Sequence, residues 1–382
     1  MRIPFRPLLL ALALASSGCS TLDAINPFTP SAPKLAPLPT ISAPADVRTL
    51  WSYAAGKAGD YLFTPAVVGR TVYVANRDGQ LAKLEDGKLV WRVNVGQPLS
   101  TGVAANLDML VVATAKGDVL AFATEDGRSL WQAKVSSEVL AVPTIGEAGV
   151  AVKSGDNRIY LFDAAKGARK WVYQRATPAL SVRGSGSPVF ADQYLFVGFA
   201  GGKVVALSLQ NGAPVWEGVV ALPKGATELD RVADVVAPPV TDSRQLCAVA
   251  FQGRVACFDM GQGGAMLWSR DLSSTSELAV DGRYVFAVDD AGVVHALDRS
   301  SGSTLWKQDK LKGRQLSSPI VRQGMLAVAD AEGYVHFLSR EEGAFVARLK
   351  VDGSPVRVPM RGLGGAVVVQ TTNGTVSAIE VQ

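Results

Sequence analysis

Histidine is nearly missing from this chain: two in 382 residues, alongside three cysteines. So few donors leave metal-centre chemistry poorly supplied. Lysine and arginine form no cluster and the formal charge is only +4, so the basic stripe a nucleic-acid partner requires is missing. Charged residues make up 19% against 48% hydrophobic, which excludes wholesale disorder and permits a large core. No apolar run is long enough to cross a bilayer as a helix. A Gly-rich phosphate loop, a nucleophile elbow and an HExxH pair are also absent.

What is present begins with an export pattern. Arg2 and Arg6 precede the apolar run Leu8 to Ala15, and "SSGC" follows, ending at Cys19. The run is too short for a stable transmembrane helix and suits a cleaved signal. Apolar run, small residues and then cysteine resembles a bacterial lipoprotein signal, in which Cys19 becomes the lipidated first residue of the mature chain. Ser16 stands where such signals usually carry leucine. The alternative is an ordinary signal with an incidental cysteine. By the sorting rule of lipoprotein signals, Ser20 after the cysteine implies the outer membrane, at its periplasmic face. Residues 1–18 are then the signal and 19–46 a lipidated tether, since "NPFTPSAPKLAPLPTISAPAD" is rich in proline and poor in apolar content.

From Val47 onward the chain repeats. "GQLAKLEDGKLVW" (Gly79 to Trp91), "GDVLAFATEDGRSLW" (Gly117 to Trp131), "GKVVALSLQNGAPVW" (Gly202 to Trp216) and "GVVHALDRSSGSTLW" (Gly292 to Trp306) share one pattern. Each has a glycine, an alternating apolar strand, a polar turn with a second glycine, and tryptophan four residues later. Trp51, Trp91, Trp131 and Trp171 are spaced by 40 residues, and all seven tryptophans hold the same repeat position. Shorter apolar segments such as "TVYVA" and "TPAVV" precede each unit, giving four strands, A to D. Four short strands per unit of about forty residues is the signature of a β-propeller blade. The glycine before each tryptophan suits a C–D hairpin turn with positive φ. Tryptophan on strand D can cover the seam between blades, its N–H reaching a backbone acceptor.

Two units lack the tryptophan. "GYVHFLSREEGAFVA" has Ala347 at that site, and "GTVSAIEVQ" ends the chain after strand C. "VRTLW" at Val47 can supply the missing strand D and leave no open sheet edge. Val47 to Gln382 divides into eight units of about 42 residues. The expected fold is all-β: an eight-bladed β-propeller of four-stranded blades over 47–382, closed by an N-terminal strand that completes the last blade.

The repeat resembles that of quinoprotein dehydrogenases, which hold pyrroloquinoline quinone in the channel and use adjacent paired cysteines. This chain has no Cys-Cys pair, and its acids Glu85, Asp163, Asp259 and Asp298 recur where turn capping explains them. No catalytic residues, cofactor or metal site are expected. His295 and His336 occupy equivalent strand-C positions with no third ligand apparent, so packing is their expected role. The whole chain resembles the BamB family, propeller lipoproteins of the outer-membrane β-barrel assembly machinery of Gram-negative bacteria. The residues that carry this are the lipoprotein start, "APLPT" at Ala36, "SVRGSGSP" at Ser181, "TELDRVADV" at Thr227, and "EGYVHFLSREEGAFVA" at Glu332 with its missing tryptophan. The resemblance implies a non-enzymatic scaffold that binds the periplasmic POTRA domains of BamA and aids insertion of barrel proteins. Unfolded outer-membrane proteins are a further candidate partner, and the membrane is met through the lipid anchor alone. A periplasmic propeller that binds a ligand in its channel is the alternative, and a quinoprotein-like enzyme a more remote one.

Interblade spacing points independently to a binding face. In A-to-D blades all D–A connections emerge on one face, and two of them are long: "RATPALSVRGSGSP" and "LPKGATELDRVADVV". Being consecutive, they are neighbours, and loops on a rigid scaffold concentrate binding residues. Leu180 and Val182 are the candidate apolar contacts. Arg183, Asp230, Arg231 and Asp234 are the candidate directional groups, with Arg183 suited to fork a carboxylate or carbonyls. The alternative is that Arg183 and Asp234 pair with each other and merely order the loops. Relatives often carry a second acid two residues after the first, where this chain has Val236, so that contact is not carried over.

Cys247 and Cys257 fall on the B and C strands of blade five. Cross-strand geometry can bring their Cα atoms within the roughly 4.4–6.8 Å of a disulfide, and the periplasm is oxidising. The alternative is two buried thiols in a strand core.

Overall fold

The computed structural model describes residues 35–42, 44–176, 178–242 and 244–382. Cys19 and the expected signal segment lie outside the described residues. Eight four-stranded antiparallel sheets are present, each in the order A-B-C-D. Blade two is representative: Ala104–Ala105, Met109–Ala113, Asp118–Ala123 and Ser129–Lys134. Its B and C strands are buried along their whole length, because neighbouring blades cover both faces. Its D strand exposes alternate residues at the outer rim, which is why the sequence there alternates rather than running apolar. In blade eight, Val47–Ala54 pairs with Thr375–Val381, from Val47 opposite Val381 to Ala54 opposite Thr375. The ring is closed by the chain's own N-terminal strand, as expected.

The tryptophans close the seams. Trp131 Nε1 donates to the Ala164 carbonyl at 2.7 Å, in the C–D turn of the next blade. Trp171, Trp268 and Trp306 make the same bond one blade further on, at 3.0, 2.8 and 2.9 Å. The turn glycine answers two demands at once. Gly167 has φ +65°, and a Cβ there would lie 2.6 Å from the Trp131 ring. The glycine is needed for the close approach as well as for the turn.

Ala347 now has a physical reason. Its seam faces blade eight, whose strand D comes from the other end of the chain, so no C–D turn exists there to receive an indole. Residue size is exchanged across the strand pair as well. Trp131, Trp216 and Trp306 stand opposite Ala121, Ala206 and Ala296, whereas Ala347 stands opposite Phe337. Volume is conserved with the large residue moved to strand C.

The end of the segment read as a tether over 19–46 touches the propeller: the compact unit that holds the blades begins at Ala36. Ala45 N donates to the Val346 carbonyl at 3.3 Å, and Gln382 N to the Asp46 carbonyl at 2.9 Å. Low apolar content does not keep this stretch off the body, because blade seven supplies its polar partners.

Candidate partner-binding face

The two long D–A connections meet, as their order in the ring requires. In the first, Leu180 is 45% exposed. In the second, Thr227 to Arg231 forms a tight turn that is satisfied from within. Thr227 N donates to Asp230 Oδ2 at 3.1 Å, and Asp230 N to Thr227 Oγ1 at 3.2 Å. These Thr227 bonds hold the Asp230 carboxyl below its ordinary range. Arg231 donates through Nε to the Gly225 carbonyl and through its other arm to Glu228, both at 3.1 Å. Asp230 and Arg231 are exposed, but their first bonds shape the tip. Leu222 and Leu229, 62% and 70% exposed, are the apolar side chains this loop turns to solvent. Sequence reasoning passed over both, since an isolated leucine in a polar loop has no periodic signal.

After the tip the chain turns inward. Val232, Ala233, Val235 and Val236 are buried, and Asp234 forms an antiparallel bridge with Phe251 of blade five. Val236 packs beneath the first loop, where a Cβ on Gly184 would lie 3.0 Å from the valine Cβ. Asp234 itself is 2% exposed. Its Oδ2 accepts the Val182 amide at 2.7 Å and its Oδ1 the Gly201 amide at 2.9 Å. Asp234 therefore sits under the face as a fastener, not on it as a contact. Lys153 lies nearby and donates to the Gly198 carbonyl at 2.6 Å. Burial pushes the Lys153 ammonium down to about 8, against the pull of the Asp234 carboxylate.

Arg183 does not pair with Asp234. It forks Glu138, Nε to Oε1 at 3.1 Å and the second arm to Oε2 at 2.5 Å. Glu138 belongs to the connection between blades two and three, a third loop that sequence reasoning did not include. An acid in a D–A connection beside the long loops was the available signal. The Arg183 side chain stays 63% exposed, so this surface pair contributes little stability and leaves the guanidinium accessible. Val182 and Arg183 also border the mouth of the central channel, a cavity of about 540 Å³ whose lining includes Leu140, Glu277 and Arg361. The structure thus brings Leu180, Val182 and Arg183 onto one surface with the Asp230–Arg231 tip, and puts Asp234 beneath it.

Cys247 and Cys257 are register partners in blade five and are joined as a disulfide, with Cα atoms 4.1 Å apart. They share an apolar cluster with Ala237, at the foot of the second loop. His295 and His336 are each turned to an aspartate, Asp289 at 2.8 Å and Asp330 at 2.9 Å.

Comparisons with known proteins agree along the chain. The family described as "Outer membrane protein assembly factor BamB" matches residues 41–99, 83–308 and 291–382. The protein of that name from Bordetella pertussis is 39% identical over 364 residues, 95% of this chain and 93% of its own length. The Escherichia coli protein is 32% identical over 388 residues, covering 98% and 97%. The crystal structure of BamB from Moraxella catarrhalis superposes with a TM-score of 0.81 at 27% identity, covering 88% of this chain and 100% of that one. A quinohemoprotein alcohol dehydrogenase from Comamonas testosteroni has a TM-score of 0.70 at 12% identity over 88% and 76% of the two chains, which is a likeness of fold alone. This chain belongs to the BamB family of outer-membrane protein assembly factors.

Proposed function

We propose that this chain is a non-enzymatic scaffold of the outer-membrane β-barrel assembly complex, and that its D–A face binds the POTRA region of BamA. The family is one of assembly factors, not of dehydrogenases. The observation that carries the reading is the joining of two long loops by the Asp234 bond to Val182. Loops held in one arrangement lose less freedom on binding, so apolar contacts at Leu180, Leu222 and Leu229 translate into affinity. Arg183 adds a forked donor that is free to exchange Glu138 for a carboxylate of the partner.

The scaffold is held at the periplasmic face of the outer membrane by lipid on Cys19. No helix among the described residues is long and apolar enough to cross a membrane, so contact with the bilayer rests on that anchor in this reading. Replacing Cys19→Ala should leave the protein soluble or unprocessed. Unchanged membrane fractionation, without lipid mass on the mature N-terminus, would reject the anchor. The test of the face is co-purification with the POTRA region of BamA. Arg183→Glu should weaken recovery while the propeller melts normally, and full recovery would remove the face from the interface.

A further inference from the structure

Seven seams of the ring are closed by a tryptophan set against the C–D turn of the next blade. The seam between blades seven and eight has Ala347 and no turn. Residues 36–42 and 44–46 run along it. They start beside the connection between blades six and seven, where Ala36 N donates to the Gly313 carbonyl at 3.5 Å. They end at the C-terminal strand, where Asp46 accepts from Gln382 N.

Two arginines hold this segment, Arg314 in the connection before blade seven and Arg348 on its strand D. Arg314 donates to the Ala36 carbonyl at 2.5 Å, and Arg348 to the Pro39 carbonyl at 2.8 Å. The two carbonyls are three residues apart. A polyproline II helix repeats every three residues and leaves its carbonyls without internal partners, so acceptors at this spacing project to the same side. Pro37, Pro39 and Pro44 favour that conformation.

The arginines are fixed from behind by buried groups. Arg314 is 1% exposed and Asp330 and His336 are both fully buried. Arg314 Nε donates to Asp330 at 2.8 Å, and its remaining arm meets Glu332. Arg348 Nε donates to His336 Nδ1 at 3.0 Å, and His336 Nε2 bonds Asp330. A ring nitrogen that accepts from arginine carries no proton, so His336 is neutral and donates through Nε2. Arg314 is buried and Arg348 half-buried, and guanidinium groups braced in such places are costly to leave unpaired. They form a prepared site rather than an incidental surface contact.

We infer that the outer side of blade seven is a binding site for an extended, proline-containing peptide, filled here by the chain's own residues 36–42 and 44–46. It reads main-chain carbonyls three residues apart, and Arg314 and Arg348 are its donors. The site is built from blade seven and the connection before it, includes neither of the two long loops, and does not depend on what those loops bind.

The test uses a full-length chain in which residues 36–42 are replaced by an equal number of glycines and serines. A fluorescent peptide of residues 35–46 is titrated against it by anisotropy. Saturable 1:1 binding is expected, weakened about tenfold or more by adding Arg348→Gln. Binding that is absent up to about 1 mM peptide, or unaffected by Arg348→Gln, overturns the proposal. Should the replaced chain fail to fold, hydrogen exchange on the natural chain decides. Arg348→Gln should speed exchange at the Ala36 and Ala45 amides and leave blades one to five unchanged. Unaltered protection at those two amides overturns the site.

Discussion

Asp234 Oδ2 accepts the amide of Val182 at 2.7 Å, joining two loops whose residues lie 52 positions apart in sequence. The second oxygen takes the Gly201 amide, so one carboxylate satisfies two backbone donors. Asparagine keeps the shape but has one acceptor oxygen and turns an N–H₂ toward a donor. Asp234→Asn should cost about 1–3 kcal/mol and loosen the face, lowering POTRA recovery without removing any exposed contact. Denaturant melts together with co-purification check both halves.

Arg183 and Glu138 give a different signature. Their pair is exposed, so Arg183→Ala should change stability by no more than about 1 kcal/mol. If the guanidinium becomes a buried contact in the complex, partner binding should fall by about 2–5 kcal/mol. The double exchange Arg183→Glu with Glu138→Arg restores the pair between the two loops but moves the positive charge. Restored binding in that double variant would mean the pair only orders the loop, and continued loss would place Arg183 at the partner.

The seam geometry predicts stability directly. Gly167→Ala forces a Cβ to 2.6 Å from Trp131 in a backbone at φ +65°, and should cost at least about 1–3 kcal/mol. Ala347→Trp should also destabilise, by about 1–3 kcal/mol, since Ala347 is fully buried opposite Phe337. Adding Phe337→Ala should recover part of that loss by reproducing the size order of blades two, four and six. Thermal melting of the three variants tests this.

Acid should weaken the blade-seven cluster through His336. Burial lowers its pKa from 6.5, with Asp330 acting in the opposite sense and Arg348 and Arg314 adding to the lowering. The unfolded chain therefore takes up the proton first as pH falls, so the contribution of His336 is full above about 6.5 and is lost progressively below it. Asp330 stays ionised through this range: burial raises its pKa, but the bonds from His336, the Tyr334 amide and Arg314 bring it below the carboxylate norm. Urea melts at pH 7.5 and 5.5 should show a drop in stability that shrinks in His336→Gln.

The Cys247–Cys257 bond closes a short loop, with ten residues of sequence separation. Unfolded, unreduced mature protein should titrate no thiol from either cysteine, and two free thiols would reject the bond. Reduction should lower stability by about 3 kcal/mol.

The blade count and the closure of the ring were legible in the sequence, because both are written in one dimension. A glycine, an apolar strand, a turn and a tryptophan recur at near-constant spacing, and a unit that stops after strand C needs a strand from elsewhere. The long connections before Val189 and Val240 were legible for the same reason, as departures from a period. Tertiary structure decided what each polar residue in them does. Arg183 was near enough in principle to Asp234, yet its partner is Glu138, from a loop 45 residues away. Asp234 looked like a surface acid and is a buried fastener. A charge in a sequence carries no direction, and its partner is chosen by which loops the ring makes adjacent. The same holds for Ala36 to Asp46. Composition alone made it a tether, and only the braced arginines of a blade some 300 residues further on turn its carbonyls into partners.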